Sequence, residues 1–228
     1  MKSLKLITFD AFGTLIHLKQ PVPHTYTALS KKYNFQFNVE EVEKLSLQAF
    51  KHNAEKYPNH GHANGLCPRT WWSAVIQESF PEKIPEALVS EIWHFFASKE
   101  AYDLHPNLKT FTDYCKRIFP LVKFGIISNT DDRVRLVLRD LGLENLFEVE
   151  TYSFDAKCEK PSKQIFELTR TYAEKLLGSS IAPEECLHFG DDIIKDVEGA
   201  KAAGWNSCYC DISTDLSSEL QKLIADQE

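Results

Sequence analysis

Apolar positions along this chain follow two rhythms. Residues 4–9, "LKLITF", form a short apolar, β-branched run that ends on Asp10, as a buried strand would. From about residue 21 to 102 the period lengthens. In 40–50, "EEVEKLSLQAF", Val42, Leu45, Ala49 and Phe50 fall near one helical face. Residues 69–80, "RTWWSAVIQESF", and 87–97, "ALVSEIWHFFA", also read as helices, separated by the turn-rich "YPNHGHANGLCP" and "PEKIP". Beyond Pro106 short apolar runs alternate with helical patterns. Strands are predicted at 121–127, 146–152, 185–189 and 205–211. Helices are predicted at 108–118, 131–141, 164–177, 193–203 and 217–225, three of them stopped by Gly142, Gly178 and Gly204. Strands spaced by such helices build βαβ units and a parallel sheet. The pattern therefore describes one α/β core with an all-helical insertion soon after the first strand.

In open parallel sheets ligands bind beyond the carboxyl ends of the strands. That edge is where this sequence keeps its chemistry. The first strand ends in Asp10, the second in Ser128-Asn129, and the fourth in Gly190-Asp191-Asp192 with Asp196 close behind. Lys160-Pro161 follows the third strand and opens the next helix. Asp10 can serve as a carboxylate nucleophile. Asp10 and Asp191, on facing strand ends, repel each other unless a cation joins them. Two hard oxygen ligands with waters and a phosphate suit Mg²⁺. The Ser128 hydroxyl and the Lys160 ammonium offer a donor and a positive charge to a phosphoryl oxygen. Gly13-Thr14 places small residues where the backbone bends close to a ligand.

Composition narrows the partners. The chain has 228 residues, enough for a full domain or for a core with an inserted smaller one. It is 43% hydrophobic and 26% charged, ordinary for a globular protein, and its net charge of −7 gives no basic footprint for nucleic acid or an anionic membrane. None of the six cysteines forms a C-x-x-C pair, so they read as reduced thiols. No run approaches the ~18 apolar residues of a membrane span, and "MKSLKLITFD" lacks the form of a signal peptide. A cytoplasmic or nuclear protein with a small-molecule substrate is expected.

The order D-x-x-G-T-L, S-N, K-P, G-D-x-x-x-x-D resembles the haloacid dehalogenase (HAD) superfamily of hydrolases along the whole chain. The resemblance implies a Rossmann-like parallel-sheet core, 1–17 and 104–228, and a helical cap domain, 18–103, that sets substrate choice. It implies Asp10, Ser128 and Lys160 as catalytic residues, with Thr14 and Asn129 toward the phosphate. It also implies a Mg²⁺ site from Asp10, Asp191, Asp196 and the backbone carbonyl of Phe12. In the insertion, "YPNHGHANGL" followed by "RTWW" is similar to the subgroup called haloacid dehalogenase-like hydrolase domain-containing protein three.

One position departs from the pattern. Phosphatases of the superfamily carry a second aspartate two residues after the nucleophile, which protonates the leaving alcohol and then activates water. Here that residue is Phe12, and such general acid–base help contributes roughly 10²–10⁴ in rate. Three readings compete. A dehalogenase fits "DAFGTL", because a halide leaves without a proton, yet the acids of "GDDIIKD" and the absence of an arginine before Arg69 count against it. A Mg²⁺-dependent phosphoryl hydrolase fits those acids, with His17, His60 or His62 as replacement acids. A binding or regulatory protein would keep metal and phosphate affinity without turnover.

Other features read as structural. His60-Gly-His62 is expected in a solvated or capping loop, and Trp71-Trp72 in packing of the insertion. Asp131 and Asp132 suit a helix N-terminus. Asp192 either reaches a metal through water or caps the helix after it.

Overall fold

In the computed structural model, residues 4–225 are described. The strands are β1 Leu6–Phe9, β2 Ile16–Leu18, β3 Tyr102–Leu104, β4 Lys123–Ser128, β5 Val149–Tyr152, β6 Cys186–Gly190 and β7 Asn206–Tyr209. β2 and β3 pair as a two-stranded ribbon. The others form a parallel sheet in the order β5-β4-β1-β6-β7. β1 is central, with Phe9 opposite Ile126 of β4 and Phe189 of β6. All four of its residues are buried, which explains why its sequence does not alternate.

The chain divides into two compact units. The first holds the parallel sheet and comprises residues up to His17, Leu104–Asn129, and Gly142 onward. Phe9 stacks on Phe189 at 5.4 Å between ring centroids, and Phe111 meets both edge-on. A further cluster joins Leu6, Ile127, Val149, Ile165, Phe166 and Trp205. Each such side chain contributes about 1.5–3 kcal/mol by leaving water. These contacts hold β1, β4 and β6 in register, so that the residues just past their carboxyl ends meet.

The second unit comprises Leu18–Asp103 and Thr130–Leu141. It contains helices Val22–Ser30, Val39–Lys56, Pro68–Glu78, Glu86–Phe95 and Arg133–Asp140. Val42, Ile76, Leu88, Val89 and Ile92 form its core. The first of these helices has no clear apolar stripe: Thr25 and Thr27 are both buried, and the Thr27 hydroxyl bonds back to the Pro23 carbonyl. That is why periodicity alone passes over it.

Thr130–Leu141 joins this unit through a buried charge. Asp131 is fully buried and does not simply decorate a helix terminus. Its carboxylate accepts from Arg133 Nε at 2.8 Å, Arg133 Nη2 at 3.0 Å and Trp72 Nε1 at 2.8 Å. The Arg133 guanidinium lies 4.3 Å over the Trp72 ring. Burial opposes the ionised form of Asp131, but the charge and hydrogen bonds of Arg133 outweigh it and hold the carboxyl below its usual range. His60 is only partly open to solvent. It is half-buried, its ring 4.9 Å from that of Trp71, and burial pushes its pKa down.

Candidate active site

The carboxyl ends of β1, β4 and β6 deliver Asp10, Ser128 and Asp191 to one place. A cavity of about 220 Å³ opens there, lined by Asp10, Phe12, Ser128, Asn129, Lys160, Asp191, Asp192, Lys195 and Asp196. Of the nucleophile, phosphate and metal residues expected from sequence, all but Thr14 are in this set; the histidines named as replacement acids, His17, His60 and His62, are not.

Lys160 is the hub. It is 3% exposed, and its ammonium donates to Asp10 Oδ1 at 2.6 Å, Asp196 Oδ1 at 2.5 Å and the Ile127 carbonyl at 2.7 Å. Its three protons are thus spent inside the protein. Asn129 holds Lys160 in turn. Its side-chain oxygen accepts from the Lys160 N–H at 2.7 Å and its amide donates to the Lys160 carbonyl at 2.9 Å. The Ser128 hydroxyl makes no hydrogen bond among the described residues, which leaves it available to a ligand.

Asp196 is saturated. Oδ1 accepts from Lys160 and from His188 Nε2 at 3.2 Å, and Oδ2 accepts from the Asp192 N–H at 3.0 Å. It sits in a π-wound turn, Ile193–Glu198, a form that recurs at functional sites. This turn and the short helix Gly199–Ala202 replace the single helix expected over 193–203. Burial works against the Asp196 charge, yet His188 and Lys160 hold the carboxyl well below the ordinary range. Asp192 caps the turn, accepting from the N–H groups of Ile194 and Lys195, the second of its two expected roles.

Sequence reasoning passed over Thr8 and His188. They lie opposite each other on β1 and β6, both fully buried, with Thr8 Oγ1 2.9 Å from His188 Nδ1. A carboxylate only accepts, so His188 Nε2 carries the proton toward Asp196 and Nδ1 accepts from Thr8. Burial lowers the His188 pKa and keeps the ring neutral. Polar residues facing each other inside apolar strands were the available signal.

Asp191 is the contrasting acid. It receives a hydrogen bond from Thr14 Oγ1 at 3.3 Å, and that hydroxyl also reaches the Cys210 carbonyl at 3.3 Å. Thr14, expected near the phosphate, instead supports Asp191. Gly13 has φ +86°, and a methyl group there would collide with the Asp191 carboxylate; one at Gly190 would collide with Asp196. Both glycines are small because carboxylates pack on them. Burial, then the charges of Asp10 and Asp196, push the Asp191 pKa up.

A raised carboxyl pKa means the ionised form is penalised in the fold but not in the unfolded chain. Stability therefore falls as pH rises through the carboxylate range. Asp191→Asn, in metal-free protein, is expected to raise Tm by a few degrees near neutral pH. The gain should fade below the ordinary carboxylate range, where both states are protonated. Thermal melts in chelator at several pH values check this, and a variant less stable than wild type at neutral pH would refute it.

Asp10, Asp191 and Asp196 each bring a carboxylate oxygen within 4.8 Å of the other two. Among the cavity's lining residues, carboxylates outnumber ammonium groups four to two. Lys160 engages only Oδ1 of Asp10; Oδ2 receives no hydrogen bond among the described residues and is free to attack or to coordinate.

Residues 4–204 match the model of a family described as haloacid dehalogenase-like hydrolase. An uncharacterized hydrolase of Schizosaccharomyces pombe is 46% identical over 218 residues, 95% of this chain and 94% of its own. Haloacid dehalogenase-like hydrolase domain-containing protein 3 of Xenopus laevis is 28% identical over 211 residues, 90% of this chain and 83% of its own. The structure of a magnesium-bound HAD hydrolase of Bacillus subtilis aligns with TM-score 0.69 at 18% identity, over 99% of both chains. A family match over most of the length, together with a relative almost half identical, shows that this chain belongs to the haloacid dehalogenase-like hydrolase family.

Proposed function

We propose that this protein is a Mg²⁺-dependent hydrolase that accepts the phosphoryl group of a small molecule on Asp10. The observation that carries this reading is the contrast between two neighbouring acids. Among the described residues, Asp10 has one oxygen fixed by Lys160 and the other free, and beside it Asp191 carries a charge that no ammonium balances. The donor set suits a hard divalent cation. Asp10 and Asp191 would hold it with the Phe12 carbonyl. Asp196, whose oxygens are already engaged, orients Lys160 and the turn above it. When bound, the ion neutralises the phosphoryl oxygens and lets an anionic substrate enter a cavity rich in carboxylates. Ser128 donates to a phosphoryl oxygen, Lys160 aims Asp10, and Asn129 keeps Lys160 in place.

The test uses p-nitrophenyl phosphate, whose leaving group departs as a stable anion. Release of p-nitrophenolate is expected with Mg²⁺ and is expected to stop on chelation. Metal-independent chloride release from 2-chloropropionate would replace this reading with a dehalogenase. Saturable Mg²⁺ binding without any turnover would replace it with a binding protein.

A further inference from the structure

Among the described residues two ammonium groups line the cavity, and they differ in what they can give a ligand. Lys160 is buried and spends its protons on Asp10, Asp196 and the Ile127 carbonyl. Lys195 is open: its side chain is 52% exposed, and its ammonium pairs with Asp192 Oδ2 at 2.8 Å. The hydrogen bond with Asp192 pushes the Lys195 pKa up, and the charges of Asp196 and Asp10 add to this, so the ammonium lies within electrostatic reach of Asp10. The pair with Asp192 is easily exchanged. Asp192 Oδ1, not Oδ2, accepts the N–H groups of Ile194 and Lys195, so the turn keeps its cap when the ammonium leaves. The Asp192 side chain is itself 37% exposed, so water can replace the lysine at Oδ2, and an ion pair this exposed contributes little to stability. Strand order also separates Lys195 from Ser128. β4, which ends in Ser128, and β6, which leads to Lys195, flank β1 on opposite sides.

We propose that Lys195 leaves Asp192 for a second anionic group on the substrate, so that the class accepted is small phosphorylated molecules that also carry a carboxylate or a second phosphoryl group. This rests on the reading of the cavity as a phosphoryl site. The transferred group occupies the side of Asp10 and Ser128. A second anion on the opposite flank would meet the carboxylates of Asp191 and Asp192 and be repelled, unless an ammonium turns to it. Lys195 is the lining ammonium able to do so, because Lys160 has no proton left to give. The incoming anion takes the place of the Asp192 carboxylate, whose own charge then faces water. A substrate with a neutral body offers nothing to exchange and leaves the Lys195–Asp192 pair closed.

Calorimetric titration of the whole protein in Mg²⁺ with methylphosphonate, phosphonoacetate and methylenediphosphonate tests this, since none has a phosphate ester bond to hydrolyse. Phosphonoacetate adds a carboxylate to the first, and methylenediphosphonate adds a second phosphonate. At least one of the two is expected to bind about fivefold tighter than methylphosphonate, the upper end for an exposed ion pair. Whichever gains more identifies the second group. In Lys195→Met the advantage should fall below about twofold, and Lys195→Arg should keep most of it. In Asp192→Asn, which retains the capping oxygen but frees the ammonium, the advantage should widen. Chelation of Mg²⁺ by the ligand is the same in every variant, so the change between variants is the readout. An equal advantage in wild type and Lys195→Met, or none in wild type, overturns the role of Lys195 and leaves the hydrolase reading standing. No binding of any of the three overturns both.

Discussion

Asp10→Asn is expected to abolish turnover of p-nitrophenyl phosphate, a loss of roughly 10³–10⁶-fold, while leaving the fold intact. The amide oxygen is neutral and a poor nucleophile, so the covalent step has no starting group. The structural cost is small because an amide oxygen can still accept from Lys160, which also keeps Asp196 and the Ile127 carbonyl. The removed charge is one of those that push the Asp191 pKa up, so part of any loss is offset. The Mg²⁺-induced rise in Tm should shrink, since one of the two proposed carboxylate ligands is gone. Activity assays beside melts with and without Mg²⁺ separate the two effects. Retained turnover would remove Asp10 from the chemistry.

Lys160→Met is expected to cost both activity and stability. Methionine has similar length, so packing changes little, but Asp10 and Asp196 lose their shared cation in a place where Lys160 and Asp196 are each nearly fully buried. Removing one partner from a buried pair costs about 3–5 kcal/mol. For a chain of this size, that lowers Tm on the order of 10 °C. The pH dependence follows from Asp196. Its carboxyl is held low in the fold, so it stabilises the protein above the ordinary carboxylate range, and that contribution is lost as pH falls through its folded value. The difference between wild type and variant should therefore be largest near neutral pH and narrow in acid. Added Mg²⁺ should restore part of it. A variant as stable as wild type at neutral pH would mean that Lys160 does not balance these acids.

Much of this was legible in the residues. The five strands of the parallel sheet, the helices that separate them, and the gathering of Asp10, Ser128, Lys160, Asp191 and Asp196 follow from apolar rhythm and from what stands at each strand's end. Such features are local, or repeat with the geometry of one element. Division of labour among the acids was not legible. Asp191, Asp192 and Asp196 are three identical side chains within six residues. One takes a threonine hydroxyl, one caps a turn and one anchors a lysine, because strand pairing and the π-wound turn give each different donors. Asp131 shows the same limit: as text it suits a helix terminus, and only the approach of Trp72 and Arg133 makes it a buried ion.

By itself, then, the sequence determined the α/β class, the edge of the sheet at which these acids gather, and the presence of a phenylalanine two residues after Asp10. A parallel sheet places its strand ends together whatever the side chains are, and phenylalanine has no titrating group in any environment. Tertiary structure alone decided that Lys160 spends its protons on Asp10, Asp196 and Ile127, that Thr14 serves Asp191, and that Thr8 and His188 stand behind Asp196. The reason is physical: a donor's role depends on which acceptor lies within about 3 Å, and Asp10 for Lys160, His188 for Thr8 and Asp191 for Thr14 each sit more than a hundred residues away along the chain.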